Sequence, residues 1–179
     1  MNILVIGAGR SSSSLIRYLL TASHELEFKL KVVDRDLALA ERKIAGHENA
    51  EAVSFNALEA NERMPHLKWA DIVVSMLPAR FHIEIARDCV KLKKNLITPS
   101  YVTPEMLALE EEAKNNGILI LNELGLDPGI DHMSAMKIIH EIQANGGKLI
   151  RFESFTGGLI APQSDTNPWN YKFTWNPRN

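Results

Sequence analysis

The sequence predicts a doubly wound, parallel α/β sheet followed by the beginning of a second α/β (α+β) domain. Three observations predict it. The apolar run Met1–Ile6 opens directly into Gly7-Ala8-Gly9-Arg10-Ser11-Ser12. Short apolar segments then alternate with segments of helical period along most of the chain. The second apolar segment ends on an acidic residue, Asp34, about 25 positions after the glycines. A strand, a glycine turn and a helix, with an acid at the end of the next strand, open a dinucleotide-binding unit of the Rossmann type.

The glycine turn has a physical logic. Gly7 lets the chain turn sharply out of the first strand, and Gly9 lets a pyrophosphate approach the backbone. The helix starting near Arg10 points its unbonded N–H groups at that phosphate. Ser12 stands where the pattern often has a third glycine, and it is still small enough for close helix–strand packing. Ser11–Ser14 occupy the first turn, where hydroxyls satisfy amides or face a phosphate. Leu15, Ile16, Leu19 and Leu20 then give an apolar stripe at helical spacing.

The second strand is expected over Phe28–Asp34. Asp34 suits the adenine-ribose hydroxyls of NAD, while its neighbour Arg35 permits the 2′-phosphate of NADP. As a residue-level reading Asp34 favours NAD. A helix follows from Asp36 to Ala45, and a third strand over Ala52–Phe55 leads to Asn56, a candidate adenine-side contact. Leu58–His66 is expected to be a short helix closed near Met64-Pro65. The fourth strand, in Ala70–Pro78, brings Ser75, Met76, Leu77 and Pro78 to the nicotinamide side.

A helix Arg80–Leu92, a strand Asn95–Thr98 and a turn Pro99-Ser100-Tyr101 continue the alternation. Lys91, Lys93 and Lys94 fall at the end of that helix, where cations complement its dipole. Thr103-Pro104-Glu105 caps the next helix, which runs to Asn116 and stops at Gly117. The sixth strand is Ile118–Asn122. Asp127-Pro128 is expected to be a cap and first-turn proline for a helix ending at Asn145-Gly146-Gly147. Asp127, Asp131 and His132 then lie within reach of a substrate.

Bulk properties exclude several classes. The chain has 179 residues, 45% apolar and 23% charged, with a formal net charge of -2. That balance gives no electrostatic footprint for nucleic acid or an anionic membrane. Cys89 is the one cysteine. It shares an apolar helix face with Phe81, Ile85 and Leu92 and reads as a buried hydrophobe. No apolar run is long enough to span a membrane, and the N-terminus lacks a basic leader. A cytoplasmic protein is expected. An Asp–His pair without a third ligand is not a metal site by spacing.

The segment Asn122–Met133, with sequence NELGLDPGIDHM, resembles the signature of the saccharopine dehydrogenase family, nearest its glutamate-forming saccharopine reductases. Thr156–Pro162, Asn167–Arg178, Pro99–Val102 and the glycine turn resemble it too. The resemblance covers nearly the whole chain. It implies a dinucleotide domain over residues 1–125 and, over 126–179, the start of an incomplete substrate and dimerisation domain. It implies an NADP cofactor, against the preference of Asp34. Gly9, Arg10, Ser11 and Ser12 would lie under the pyrophosphate, and Leu126, Asp127 and Pro128 near the nicotinamide. Ser100, Tyr101 and Asp127 would contact an amino-acid substrate. Trp175, Asn176, Pro177 and Arg178 would lie at the interdomain cleft, the first three toward cofactor and Arg178 toward substrate.

The implied reaction is oxidation of saccharopine at its CH–NH bond, giving glutamate and 2-aminoadipate 6-semialdehyde, or the reverse. Asp127 is the first candidate to hold or deprotonate the nitrogen, and His132 the second. Alternatives are a related amine dehydrogenase such as lysine 6-dehydrogenase, or a non-catalytic NAD-binding module. Lys148–Phe155 and Tyr171–Trp175 alternate like half-buried strands, and Phe155, Trp169, Phe173 and Trp175 are a large aromatic surface. Both features predict either the N-terminal part of a longer enzyme or a protein that covers this surface by oligomerising. With the resemblance, the expectation is an N-terminal part that is inactive on its own, of an enzyme that is a homodimer when full-length.

Overall fold

The structure is a computed structural model, and it describes residues 1–155, 157 and 160–173. By compactness the chain divides into Met1–Met133 and Ser134–Asn179.

The first unit is built on a six-stranded sheet in the order β3-β2-β1-β4-β5-β6. The strands are β1 (Asn2–Ile6), β2 (Lys29–Asp34), β3 (Ala50–Ser54), β4 (Ile72–Ser75), β5 (Asn95–Ile97) and β6 (Ile120–Leu121). Every pairing is parallel. The order reverses between β1 and β4, so the loops leaving these two strands diverge and open a crevice at their carboxyl ends.

Near-continuous apolar runs make the central strands because both faces are covered. Leu4, Ile6, Val33 and Val73 face one core with Leu67, Ile85, Cys89 and Leu96. Ile3, Val5, Leu30, Val32 and Val74 face the other with Ile16, Ala40 and Ile44. Helices α1 (Ser13–Ala22) and α2 (Leu37–Ile44) thus cover one face, and α3 (Ala60–Trp69) and α4 (His82–Leu92) the other. Burial raises the Cys89 thiol to about 12, so it is an inert hydrophobe in this core.

Four expectations need correction. First, α3 does not close at Met64-Pro65 but runs through Pro65 to Trp69. Packing outweighs the lost backbone bond: Leu67 is fully buried, and Arg63 is clamped by Asp88 of α4 at 2.7 Å and by the carbonyls of Ala57 and Leu58. Second, the helix after Thr103 is split into α5 (Pro104–Leu107) and α6 (Glu110–Asn116). The Leu109 amide bonds the Met106 carbonyl three residues back, tightening the chain between them. Third, Asp127-Pro128 does not open the next helix, α7, which spans Ile130–Ala144. Asp127 and Pro128, joined by a cis peptide, sit in a turn closed by the Gly125 amide on the Pro128 carbonyl and the Ile130 amide on the Gly125 carbonyl.

The fourth correction concerns the second unit. Residues 148–155 and 171–173 are not strands, because no paired strand lies beside them among the described residues. Phe155, Trp169 and Phe173 are exposed there, while Trp175 lies outside the described residues. No helix of the described residues is long and apolar enough to cross a membrane.

Candidate functional site

Parallel strands place all their carboxyl ends on one edge of the sheet. Gly7–Ser12, Ser75–Pro78, Thr98–Tyr101 and Asn122–Asp127 follow β1, β4, β5 and β6, so the topology gathers them at that edge.

Gly7 has φ +110°, and a Cβ there would meet the Met76 carbonyl oxygen at 3.0 Å. The β1 and β4 loops therefore touch backbone to backbone, and the Gly7 amide is anchored on the Val33 carbonyl at 2.7 Å. At Gly9 a Cβ would meet nothing within 4 Å. Gly7 serves the turn, and Gly9 leaves space above it. Arg10–Ser12 form a 3-10 turn that leads into α1. The buried Ser12 hydroxyl donates to the Gly9 carbonyl, fixing the turn from below, and the Ser13 hydroxyl donates to that of Arg10.

Asp34 has a task the sequence did not disclose. One carboxylate oxygen accepts the Ala8 amide at 2.8 Å and the other accepts the Asp36 amide at 3.1 Å. It ties the glycine turn to the end of β2. Asp36 caps α2 by accepting from the Leu39 amide, and Arg35 is exposed beside it. The Asn56 side-chain oxygen accepts the Leu58 amide, which shapes the approach to α3.

On the other side of the crevice, a buried histidine joins two strand ends. His82, at the start of α4, is 2% exposed. Its Nδ1 lies 2.8 Å from the Ser75 hydroxyl and its Nε2 2.9 Å from that of Ser100. Burial alone lowers its pKa to about 4, so the ring is neutral at ordinary pH. Sequence reading singled out Ser75 and Ser100 but missed His82. The usable signal was a histidine just after the β4 proline turn, on a helix that packs back over that strand end.

The β5 and β6 loops are laced together. The Glu123 amide donates to the Ser100 carbonyl, the Leu124 amide to that of Thr98, and the Val102 amide to the Glu123 carboxylate. Tyr101 donates its hydroxyl to Asp127 at 3.1 Å. That bond, with the neighbouring carboxylates, raises the tyrosine pKa. Asp131 accepts the Gly129 amide and faces its neighbour His132 at 2.8 Å. The carboxylate raises the pKa of His132. A cavity of about 240 Å³ opens here, lined by Arg80, His82, Thr98, Tyr101, Glu105 and Asn122 among others.

The structure thus brings Ser75 and Ser100 together through His82, and Tyr101 together with Asp127. His132 pairs with Asp131 instead. Trp175, Asn176, Pro177 and Arg178 lie outside the described residues. Among the described residues no group of three histidine, cysteine or acidic side chains is placed to hold a metal ion.

These residues fit a nicotinamide dinucleotide. The open space at Gly9 and the first amides of the 3-10 turn suit a pyrophosphate, and the crevice between the β1 and β4 loops lies at the switch point of the sheet.

Comparison with known proteins agrees. The family described as "Saccharopine dehydrogenase NADP binding domain" matches residues 3–121, and "Saccharopine dehydrogenase C-terminal domain" matches residues 125–179. The chain is 38% identical to an alpha-aminoadipic semialdehyde synthase of Arabidopsis thaliana, over 98% of this chain and 18% of that protein. It is 37% identical to the saccharopine dehydrogenase [NADP(+), L-glutamate-forming] of Pyricularia oryzae, over 99% of this chain and 38% of that one. The solved structure of the apo saccharopine dehydrogenase (L-Glu forming) of Saccharomyces cerevisiae superposes with a TM-score of 0.80 at 35% identity, covering 99% of this chain and 39% of that one. The chain therefore spans about two-fifths or less of the length of these relatives, and it belongs to the saccharopine dehydrogenase family.

Proposed function

We propose that this chain supplies the dinucleotide side of an enzyme that oxidises saccharopine at its CH–NH bond to glutamate and 2-aminoadipate 6-semialdehyde, or runs the reverse. The observation that carries the reading is the Tyr101–Asp127 hydrogen bond at the sheet edge that also holds the glycine turn. It presents an oriented carboxylate where the resemblance expects substrate.

A nicotinamide held in the crevice between the β1 and β4 loops would supply the hydride acceptor for the substrate carbon. The substrate nitrogen, an ammonium at neutral pH, must lose its extra proton before that carbon is oxidised, and water then splits the resulting imine into the two products. Asp127, held by the Tyr101 hydroxyl, accepts the proton or orients the nitrogen. His132, with its proton affinity raised by Asp131, is the second candidate for that task. Ser100 binds a polar group of the substrate. The laced β5 and β6 loops keep these side chains in register.

For the cofactor we propose NADP. Both Asp34 oxygens already accept backbone amides, while Arg35 is an exposed cation at the same strand end. The matched family description and the fungal relative also name NADP. Calorimetry on the chain is expected to show tighter binding of NADP than NAD, with the difference lost in Arg35→Ala. Equal affinities in the unaltered protein would remove the proposal. Turnover is tested with saccharopine and lysine side by side, followed by nicotinamide absorbance. Turnover of lysine without saccharopine would move the protein to a lysine-dehydrogenase reading.

A further inference from the structure

The direction of the hydrogen bonds through His82 follows from what is buried. Ser75 is fully buried, and its hydroxyl has one partner among the described residues, the Nδ1 of His82. A buried hydroxyl proton without an acceptor costs about 1–3 kcal/mol, whereas an unused lone pair costs less. Ser75 therefore donates and Nδ1 accepts. A neutral imidazole carries one proton, so that proton sits on Nε2. Nε2–H then donates to the Ser100 oxygen at 2.9 Å. With its oxygen already accepting, Ser100 has its own proton left to give. Ser100 is partly exposed, while Ser75 and His82 are buried behind it.

We propose that His82 is a positioning residue, which Ser75 orients as the Nε2–H tautomer and which in turn commits Ser100 to donate its hydroxyl proton to a carboxylate of the bound ligand. The ligand part rests on the saccharopine reading above. Of the polar groups on an amino-acid substrate, a carboxylate takes such a proton and an ammonium does not. The opposite polarity would make Ser100 an acceptor and select the ammonium. The charged groups lining the adjoining cavity are Arg80 and Glu105, and both ring nitrogens of His82 are bonded to hydroxyls instead. The ring is held neutral by burial.

Nitrogen NMR of the histidine-labelled chain tests the relay without reference to activity. One of the six histidines, identified by its loss in His82→Gln, is expected to show the Nε2–H pattern at neutral pH. It should stay neutral to about pH 5, well below a free imidazole. An Nδ1–H pattern, or titration like a free imidazole, overturns the proposal. Should His82→Gln fail to fold, Ser75→Ala makes the assignment, since it moves only the ring it touches toward a tautomer mixture.

In the protein used for the turnover assay, Ser75→Ala is expected to raise the KM for saccharopine about tenfold, the loss of one well-made hydrogen bond. The effect on kcat should be smaller, and Ser75→Thr should restore KM. A tautomer change with KM unmoved overturns the positioning role. An unaltered enzyme that shows the Nε2–H pattern but does not turn over saccharopine supports the relay and overturns the saccharopine reading.

Discussion

The two halves of the sheet edge solve the same problem in opposite ways. On the β2–β1 side, Asp34 holds the glycine turn by accepting two backbone amides with a charged group. On the β4–β5 side, His82 joins two loops through side-chain hydroxyls with a neutral ring. The difference follows from what each side must leave available. The phosphate side needs free backbone amides and open space, so the clamp sits behind the turn. The proposed nicotinamide and substrate side would need side-chain donors of fixed direction, so the clamp runs through them.

The largest effect should come from the tight backbone approach of Gly7 to Met76, where the two halves meet at the edge. Gly7→Ala places a Cβ 3.0 Å from the Met76 carbonyl at a φ of +110°. Strain and the displaced β4 loop together should cost about 3 kcal/mol. Urea unfolding is expected to show that loss, with dinucleotide binding falling alongside. A variant as stable as the parent would mean that the β1 and β4 loops are not in backbone contact.

The next effect separates the clamps by charge. The folded-state pKa of His82 is about 4 against 6.5 for a free ring. The unfolded chain therefore binds a proton that the folded chain refuses. The stability His82 supports is complete above pH 6.5 and is lost as pH falls from 6.5 toward 4, up to about 3 kcal/mol at full protonation. Denaturant midpoints across that window should decline, and decline less in His82→Gln. An identical slope in both proteins would show that the ring is not held neutral.

The halves also differ in how far the sequence disclosed them. Strands β1 and β4 were legible because both faces are covered, which leaves unbroken runs of Ile, Leu and Val, and β2 was legible from Leu30, Val32 and Val33 around Lys31. Gly7 and Gly9 were legible because a turn between strand and helix leaves few residue choices. Pro65 misled because helix propensity is local, whereas Leu67 and the Arg63–Asp88 pair act across the fold. Asp127-Pro128 misled because a cap and a tight turn draw on the same residues. His82 was hidden for another reason: its partners lie 7 and 18 positions away, and only the crossover from β4 to β5 brings them together. The task of Asp34 was visible as an acid at the right place, but its direction back toward Ala8 was not.

Asp34→Ala comes third. It removes acceptors from the Ala8 and Asp36 amides and should cost about 1–2 kcal/mol. Because the clamp holds the turn itself, the affinities for NAD and NADP are expected to fall together. A selective loss of NAD would show that the carboxylate serves the ribose more than the turn.

The smallest effect on stability should come from Gly9→Ala. Its φ of -62° suits any residue, and a Cβ there meets nothing within 4 Å. Unfolding should shift by less than about 0.5 kcal/mol, as for a surface position. The methyl group would nevertheless stand where a pyrophosphate must approach the first amides of the helix. Dinucleotide affinity is therefore expected to drop at least about tenfold, equivalent to about 1.4 kcal/mol. Gly7→Ala loses stability and binding together, while Gly9→Ala should lose binding alone. If Gly9→Ala bound dinucleotide like the parent, the open space above Gly9 would not be the phosphate cradle, and the ligand would have to lie nearer β4.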